Sequence, residues 1–437
     1  MKKNFNTILV SGLALFSMFF GAGNLIFPPT LGMKAGSSFI PATLGFLISS
    51  VGIVLLAVLA STKAGGSIDS IAGKVNKKFS VVFGTLVILA IGPVLAIPRT
   101  AATTFEIIQG TTLPGLNPIV SSIVFFGIVL FFVLNPTNII DSLGKFLTPV
   151  LLIVLTMIVV KGFITPLGTI VNTGATGVFA KSFEEGYQTM DALAALVFTT
   201  VVIKGFESKG IKDKKELISS TIFASLIAAV GLSLVYGGLL YIGATMSGLG
   251  VENLDRVSLL ILATDTLLGN FGKYALSIAI ALACLTTAIG LTATVGDYFQ
   301  ELSKGKLKSK YVILISTAFS GYLSIKGVDN IVNIAGGVLS ILYPVAIVLI
   351  FLNLFPNIFT KHSTYIGAVF GAFVPSIIRF FMRFGLEFKM LITIQENHPT
   401  LYSFIWVIPA VIFGIIFTFF AKKETESGNF NKKELVH

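Results

Sequence analysis

Long apolar runs and short polar interruptions alternate along the whole chain. The runs fall near residues 7–32, 39–62, 80–105, 119–135, 145–165, 187–206, 216–245, 272–299, 310–325, 331–355, 363–384 and 401–421. A helix needs roughly 20 residues to cross a bilayer, which is the scale of these runs. They lack the strict apolar–polar alternation of a membrane-barrel strand. In lipid a span must satisfy its own backbone hydrogen bonds, and a helix does so within one segment. The pattern therefore predicts an all-α polytopic membrane protein of about twelve transmembrane helices. Residues 250–270 form a long interruption between the seventh and eighth runs. Its apolar stretch Val257–Leu268 is too short to cross, which predicts a re-entrant or cap-forming segment.

Composition strengthens the membrane reading. Of 437 residues, 54% are hydrophobic and 12% charged, with a mean hydropathy of +0.92. Soluble proteins carry about 25% charged residues, so this chain has too few charges to coat a water-facing surface. The net charge of +11 raises nucleic acid as a partner. The basic residues, however, sit in short clusters flanking apolar runs, as they do around membrane spans, and not as one patch. No nucleic-acid partner is expected, and no obligate protein partner is evident. Cys284 is the single cysteine, and His362, His398 and His437 are scattered, which rules out a disulfide framework and disfavours a histidine metal site. Lys2 and Lys3 before an apolar run resemble a signal peptide, but no small-residue cleavage pattern follows, so the run reads as an uncleaved first helix. With the N-terminus placed in the cytoplasm, 21 of the 31 Lys and Arg residues fall in inside segments. That asymmetry predicts cytoplasmic termini and an even number of spans. The polar tail, 422–437, is expected to be disordered.

Candidate chemistry concentrates in the first run, at Gly21-Ala22-Gly23-Asn24-Leu25-Ile26-Phe27-Pro28-Pro29. Two glycines lower helix propensity in mid-span. Pro28 has no donor and crowds the carbonyl of Asn24. Freed backbone groups are costly in lipid unless they face a cavity or a ligand. A second half-helix starting near Asn24 would offer N–H groups and positive dipole to an anion such as a carboxylate. The alternative is a close helix crossing through small residues. A weak internal similarity links Leu147-Thr148-Pro149-Val150 in the fifth run to Leu342-Tyr343-Pro344-Val345 in the tenth. Five spans per copy would give the copies opposite topology, and such repeats place binding sites at their interface. Chance similarity in apolar sequence is the alternative. The sixth run, the counterpart of the first, has no glycine or proline at the expected break, but Asp191 is a carboxylate in an apolar setting. Such residues are often functional, while an interfacial position would make it ordinary. In the eighth run Thr286 and Thr287 offer two hydroxyls to a hard cation such as Na⁺. Bonds to their own helix backbone would equally account for them.

The runs Met18–Pro29, Ala96-Ile97-Pro98-Arg99-Thr100-Ala101 and Thr189-Met190-Asp191-Ala192-Leu193-Ala194-Ala195-Leu196 resemble those of the BrnQ branched-chain amino acid:cation symporters. The likeness covers essentially the whole chain in length, span count and motif order. It implies a LeuT-like five-plus-five inverted repeat followed by two C-terminal helices. The first repeat would occupy 1–165, the second 185–355 and the last two helices 360–421, ahead of the tail. It also implies a carrier in the bacterial plasma membrane that imports leucine, isoleucine or valine, usually with Na⁺ as coupling ion and with no organic cofactor. Carried over residue by residue, the substrate site would hold Ala22, Gly23, Asn24 and Leu25 of the first helix. In the mechanism this suggests, the sixth helix adds Asp191, Ala192, Leu193 and Ala194, whose freed carbonyls would meet the substrate ammonium, and Phe198, which with Leu193 would face its aliphatic side chain. A sodium site would use carbonyls at Ser17 and Phe20 with Ala283, Thr286 and Thr287. The sixth helix departs from the superfamily pattern in lacking its glycine. Arg99, an intramembrane cation, needs a partner, and Glu106 is the expected one. A carrier for another small solute, coupled to Na⁺ or H⁺, is the near alternative. An ion channel is the alternative of another class, and the chain lacks a charged ring or a repeated filter loop. No acid–base constellation suggests an enzyme.

Overall fold

The computed structural model describes residues 2–135, 139–211 and 213–420. The tail 422–437 lies outside these residues, as do the side chains of Leu147–Val150. The described chain is all-helical, as its apolar periodicity requires.

In order, the helices are α1 (Lys2–Phe19), α2 (Ala22–Ala35), α3 (Phe39–Leu47), α4 (Ile53–Ala64), α5 (Ile68–Ala72), α6 (Lys77–Leu89) and α7 (Ala96–Thr111). They continue as α8 (Pro118–Leu134), α9 (Ile139–Ile164), α10 (Val178–Gly186), α11 (Asp191–Ser208), α12 (Lys214–Thr245) and α13 (Arg256–Leu302). The last are α14 (Ser309–Ser324), α15 (Val328–Leu354), α16 (His362–Met382), α17 (Lys389–Asn397), α18 (Pro399–Ser403) and α19 (Val407–Phe420). Single π-helical turns, Ile48–Gly52 and Ala90–Val94, join α3 to α4 and α6 to α7.

Six continuous helical pieces among the described residues are long and apolar enough to cross a membrane, and the bent pair Val178–Thr189 with Asp191–Ser208 adds a seventh. Ala22–Ala64 has 43 residues, about twice the span of a bilayer, and it turns where Gly36 takes φ +52°. Large apolar side chains stand on the outer surface of many helices, among them Ile123 (67% exposed), Leu234 (68%), Phe271 (72%) and Ile315 (71%). Exposed apolar faces of this extent suit lipid as their solvent.

The first run is broken, and the break sits upstream of its prolines. α1 ends at Phe19, Gly21 is extended (φ −123°, ψ −170°), and α2 starts at Ala22 with Pro28 and Pro29 buried inside it. The second half-helix therefore begins two residues before the expected Asn24. Small residues do make a close crossing, but farther along: a Cβ on Gly32 would strike the Leu240 carbonyl, and one on Gly243 would strike that of Pro29. The crossing packs α2 on α12 and leaves Gly21 and Gly23 for another purpose.

The sixth run is broken as well, by a residue that sequence logic passes over. α10 runs into a 3-10 turn, Tyr187–Thr189, and Met190 then takes a left-handed conformation (φ +61°, ψ +8°) before α11. The two halves are bent by 41°. A non-glycine residue in this region costs roughly 1–2 kcal/mol, so the surroundings must hold it there. The interruption at 250–270 contains the start of α13, capped by Asp255, which accepts from the Val257 and Ser258 N–H groups at 3.0 and 2.9 Å. Gly269 (φ +61°) turns that segment away from the rest of the helix.

Candidate functional site

The two breaks face each other. Asn24, in the first turn of α2, uses its Oδ1 to accept the Gly21 N–H at 3.1 Å, which fixes the geometry of the break. Its Nδ2 donates to Asp191 Oδ2 at 2.7 Å and to the Tyr236 hydroxyl. Tyr236 Oη also lies 3.4 Å from Asp191 Oδ2, to which it donates. One amide thus ties the first break, the sixth break and α12 into a single buried network. Tyr236 is held in turn by Phe46, edge-on at 5.6 Å, and by Phe20, stacked at 6.4 Å. Thr189 Oγ1 donates to the Gly186 carbonyl at 2.9 Å and accepts the Asp191 N–H at 3.4 Å, bracing the Met190 kink from both sides.

Arg99 approaches from α7, just after the kink that Gly92 (φ −100°, ψ −125°) and Pro93 put into this span. It is 3% exposed. Its Nη1 donates to the Gln188 carbonyl at 2.6 Å, and its guanidinium lies 5.5 Å from the centre of the Phe27 ring. Gly23 is what lets it in: a Cβ there would sit 2.7 Å from Arg99 Nη2. The expected partnership with Glu106 does not occur. Glu106 Oε1 instead accepts the Val328 N–H at 2.8 Å, at the start of α15. Residue 106 lies on the same helix nearly two turns farther on, out of reach of a side chain drawn toward the sixth helix.

These groups line a cavity of about 50 Å³. Around it stand Gly21, Ala22, Gly23, Asn24, Arg99, Thr189, Met190, Asp191, Ala194, Phe198, Thr287 and Leu291. The N–H groups of Ala22 and Gly23 belong to the first turn of α2 and have no acceptor within their helix. Of the substrate residues expected from sequence, Ala22, Gly23, Asn24, Asp191, Ala194 and Phe198 meet here. Leu25, Ala192 and Leu193 do not: they are packed into the apolar core, at most 1% exposed.

Of the residues expected to hold a cation, Thr287 lines the cavity, and its Oγ1 would lie 4.0 Å from a Cβ on Gly21. Thr286 Oγ1 donates to the Ala283 carbonyl at 3.0 Å, the local bond usual for helical threonine. Phe20, just past α1, keeps its N–H on the Phe16 carbonyl at 2.9 Å, and Ser17 lies one turn back. Met18 and Phe19 at the end of α1 and Thr287 and Leu291 of α13 line the cavity beside the break, whereas Ser17, Phe20, Ala283 and Thr286 do not. Carbonyls and hydroxyls are a donor set for a hard cation. Among the described residues no group of three His, Cys, Asp or Glu gathers to suit a transition metal.

Sequence reasoning missed Tyr236, Gln188 and Met190. A tyrosine hydroxyl deep in an apolar run was a signal for Tyr236, since a buried polar group in lipid needs a partner. Met190 and the Gln188 carbonyl gave none.

A profile of the family described as branched-chain amino acid transport protein matches residues 4–424. The branched-chain amino acid permease BraB of Bacillus subtilis is 37% identical over 425 residues, covering 94% of each chain. The permease BrnQ of the same organism is 36% identical over 427 residues, covering 95% of this chain and 96% of the relative. Among solved structures, Mhp1, a nucleobase-cation-symport-1 family transporter, superposes with a TM-score of 0.61 at 14% identity, covering 93% of this chain and 91% of that one. MhsT in complex with L-phenylalanine gives a TM-score of 0.56 at 17% identity, covering 93% and 98%. At these identities the two structures speak for the fold, a multi-helix transporter fold, and the relatives speak for the family. This chain belongs to the branched-chain amino acid transport protein family, a family of multi-pass membrane transporters and not of enzymes.

Proposed function

We propose that this chain is a secondary active symporter that imports leucine, isoleucine or valine together with Na⁺. The observation that carries the proposal is the meeting of two helix breaks around one cavity that holds a carboxylate, an arginine and first-turn N–H groups. A zwitterion needs both signs of partner, and it finds them here. The substrate carboxylate lies at the N-terminus of α2, at the N–H groups of Ala22 and Gly23, where the helix dipole favours an anion. Its ammonium faces Asp191. The aliphatic side chain lies against Phe198, Ala194 and Leu291. The relatives named as branched-chain amino acid permeases support this substrate class.

Na⁺ would take the carbonyls of Ser17, Phe20 and Ala283 and the hydroxyls of Thr286 and Thr287. Bridging α1 and α13, it stabilises the break that forms the amino-acid site, so each ligand favours the state the other needs. The cavity of about 50 Å³ is smaller than the several hundred Å³ of ordinary ligand sites. The α1–α2 and α10–α11 breaks therefore part to admit substrate, as alternating access around a fixed site requires. We place both termini in the cytoplasm of a bacterial cell, with about twelve spans and a five-plus-five inverted repeat. The long helical pieces are divided into separate spans at turns such as Gly36.

Uptake of labelled leucine into proteoliposomes tests the coupling. An inward Na⁺ gradient drives accumulation, and replacing Na⁺ by K⁺ reduces it to the level of protein-free vesicles. Equal uptake in K⁺ refutes sodium coupling. A second reading, coupling to H⁺ through Asp191, is favoured by the burial of that carboxylate in a hydrogen-bonded network. It predicts accumulation driven by an inward proton gradient in Na⁺-free buffer. Within the sodium reading, Thr287→Ala raises the Na⁺ concentration for half-maximal uptake by about tenfold, the scale of one lost polar contact to a charge. An unchanged Na⁺ dependence removes Thr287 from the site.

A further inference from the structure

Arg99 has an unspent hydrogen-bonding capacity. Among the described residues that line the inner cavity it is the only Lys, Arg or His. Its Nη1 is spent on a neutral backbone carbonyl, that of Gln188. Its Nε is buried with no hydrogen-bond partner among the described residues. A buried guanidinium normally uses its planar fork on a carboxylate. Asp191 lines the same cavity, yet the ion pairs within 4.0 Å among the described residues are Arg256–Asp329, Lys273–Asp265 and Arg379–Glu184. Arg99 and Asp191 thus flank one space without touching, a cation and an anion held apart.

Two further features fix where the guanidinium points. Gly23 leaves room for Nη2 directly beside the N-terminus of α2. The Gln188 carbonyl and the Phe27 ring hold the guanidinium from two other sides. Gln188 also lines a separate opening of about 790 Å³, together with Tyr187, Gly336 and Arg383. Arg99, which lines the inner cavity, is thus hydrogen-bonded to a residue that lines that opening.

We propose that Arg99 is the specificity residue for the substrate's α-carboxylate: with Nη1 on the Gln188 carbonyl, it offers Nε and Nη2 as a fork to the carboxylate that the first turn of α2 also receives. The inference rests on the amino-acid carrier reading above and extends it. Arg99 and Asp191 recognise the two ends of the zwitterion, so the site rejects analogues that lack either charge. The Gln188 carbonyl acts as the positioning group, keeping the fork aimed when the site is empty or full.

The test compares leucine with leucinamide, which keeps the ammonium and side chain and replaces the carboxylate by a neutral amide. Binding is measured by competition on the detergent-solubilised full chain, in the parent protein, Arg99→Gln and Arg99→Lys. The parent prefers leucine, and Arg99→Gln weakens leucine by about 10- to 100-fold, the range for one charge-assisted pair. Leucinamide affinity stays within about twofold. Arg99→Lys, which keeps a point charge without the fork, falls between. Equal weakening of both ligands would make Arg99 structural and overturn the proposal, as would an Arg99→Gln protein that still prefers leucine. If Arg99→Gln does not fold, the same comparison in Arg99→Lys decides. Failure of the parent to bind any branched-chain amino acid would instead strike at the carrier reading itself.

Discussion

Gly23→Ala reduces leucine uptake to below about one tenth of the parent rate, while Gly21→Ala, two residues earlier, keeps at least about half. The two glycines look equivalent in sequence, and the structure separates them. Neither has a positive φ, so an alanine fits the backbone at both positions and the difference lies in what its methyl meets. At position 23 that methyl lies 2.7 Å from Arg99 Nη2, 3.1 Å from Arg99 Cζ and 3.3 Å from the Gln188 carbonyl oxygen. Contacts below 3 Å cannot stand, so either Arg99 or the α2 start must move. Arg99 is hemmed in by Phe27 and by its bond to Gln188, which leaves little room for a cheap adjustment. Overpacking a tight site costs about 1–3 kcal/mol, and here the cost falls on the binding geometry. At position 21 the nearest atoms are Asn24 Oδ1 at 3.7 Å and the Thr287 side chain at 3.8 Å, ordinary contacts. Both variants insert and elute as the parent does on size-exclusion chromatography in detergent. Parent-like uptake by Gly23→Ala, at equal protein level, removes the close approach of Arg99 from the mechanism.

How much of this was legible beforehand varies with the kind of interaction. The helices were legible because lipid imposes one rule on every span, and the apolar runs obey it. The first break was legible at Gly21-Ala22-Gly23-Asn24, although the prolines that drew attention to it turned out to lie inside α2. Asn24 makes the break by taking the Gly21 N–H, a local bond between residues three apart. The sixth break was not legible, because Met190 has no intrinsic preference for φ > 0. Its conformation is set by bonds from Thr189 and by Asn24 and Tyr236 pulling on Asp191 from other helices. The partner of Arg99 was misread for a related reason. A carboxylate such as Glu106 stands out in a sequence, whereas a backbone carbonyl exists at every position. Only the fold chooses the one at Gln188. Of the site, then, the residues in glycine-rich or charged motifs were visible, and those recruited through backbone atoms were not.

Asp191 carries the second large effect. Asp191→Asn leaves an Oδ1 that still accepts from Asn24 Nδ2, so the network joining α2, α11 and α12 survives and the protein keeps its thermal stability in detergent. The negative charge is lost. A substrate ammonium then faces a neutral amide, and the half-saturating leucine concentration rises by about 10- to 100-fold. Asp191→Leu removes the acceptor as well. Asn24 then keeps Tyr236 alone as a side-chain partner, at a desolvation cost of about 1–3 kcal/mol, and melting temperature falls along with uptake. The pair of variants therefore separates charge from structure, and parent-like half-saturation in Asp191→Asn would refute the ammonium role. Counterflow of leucine, which needs no ion gradient, sharpens the reading further. If Asp191 holds the ammonium, Asp191→Asn weakens counterflow and gradient-driven uptake alike. If Asp191 instead carries a coupling proton, counterflow persists and only accumulation is lost. One carboxylate would then have moved from the substrate to the driving ion, with the same two side chains, Asn24 and Tyr236, bonded to it.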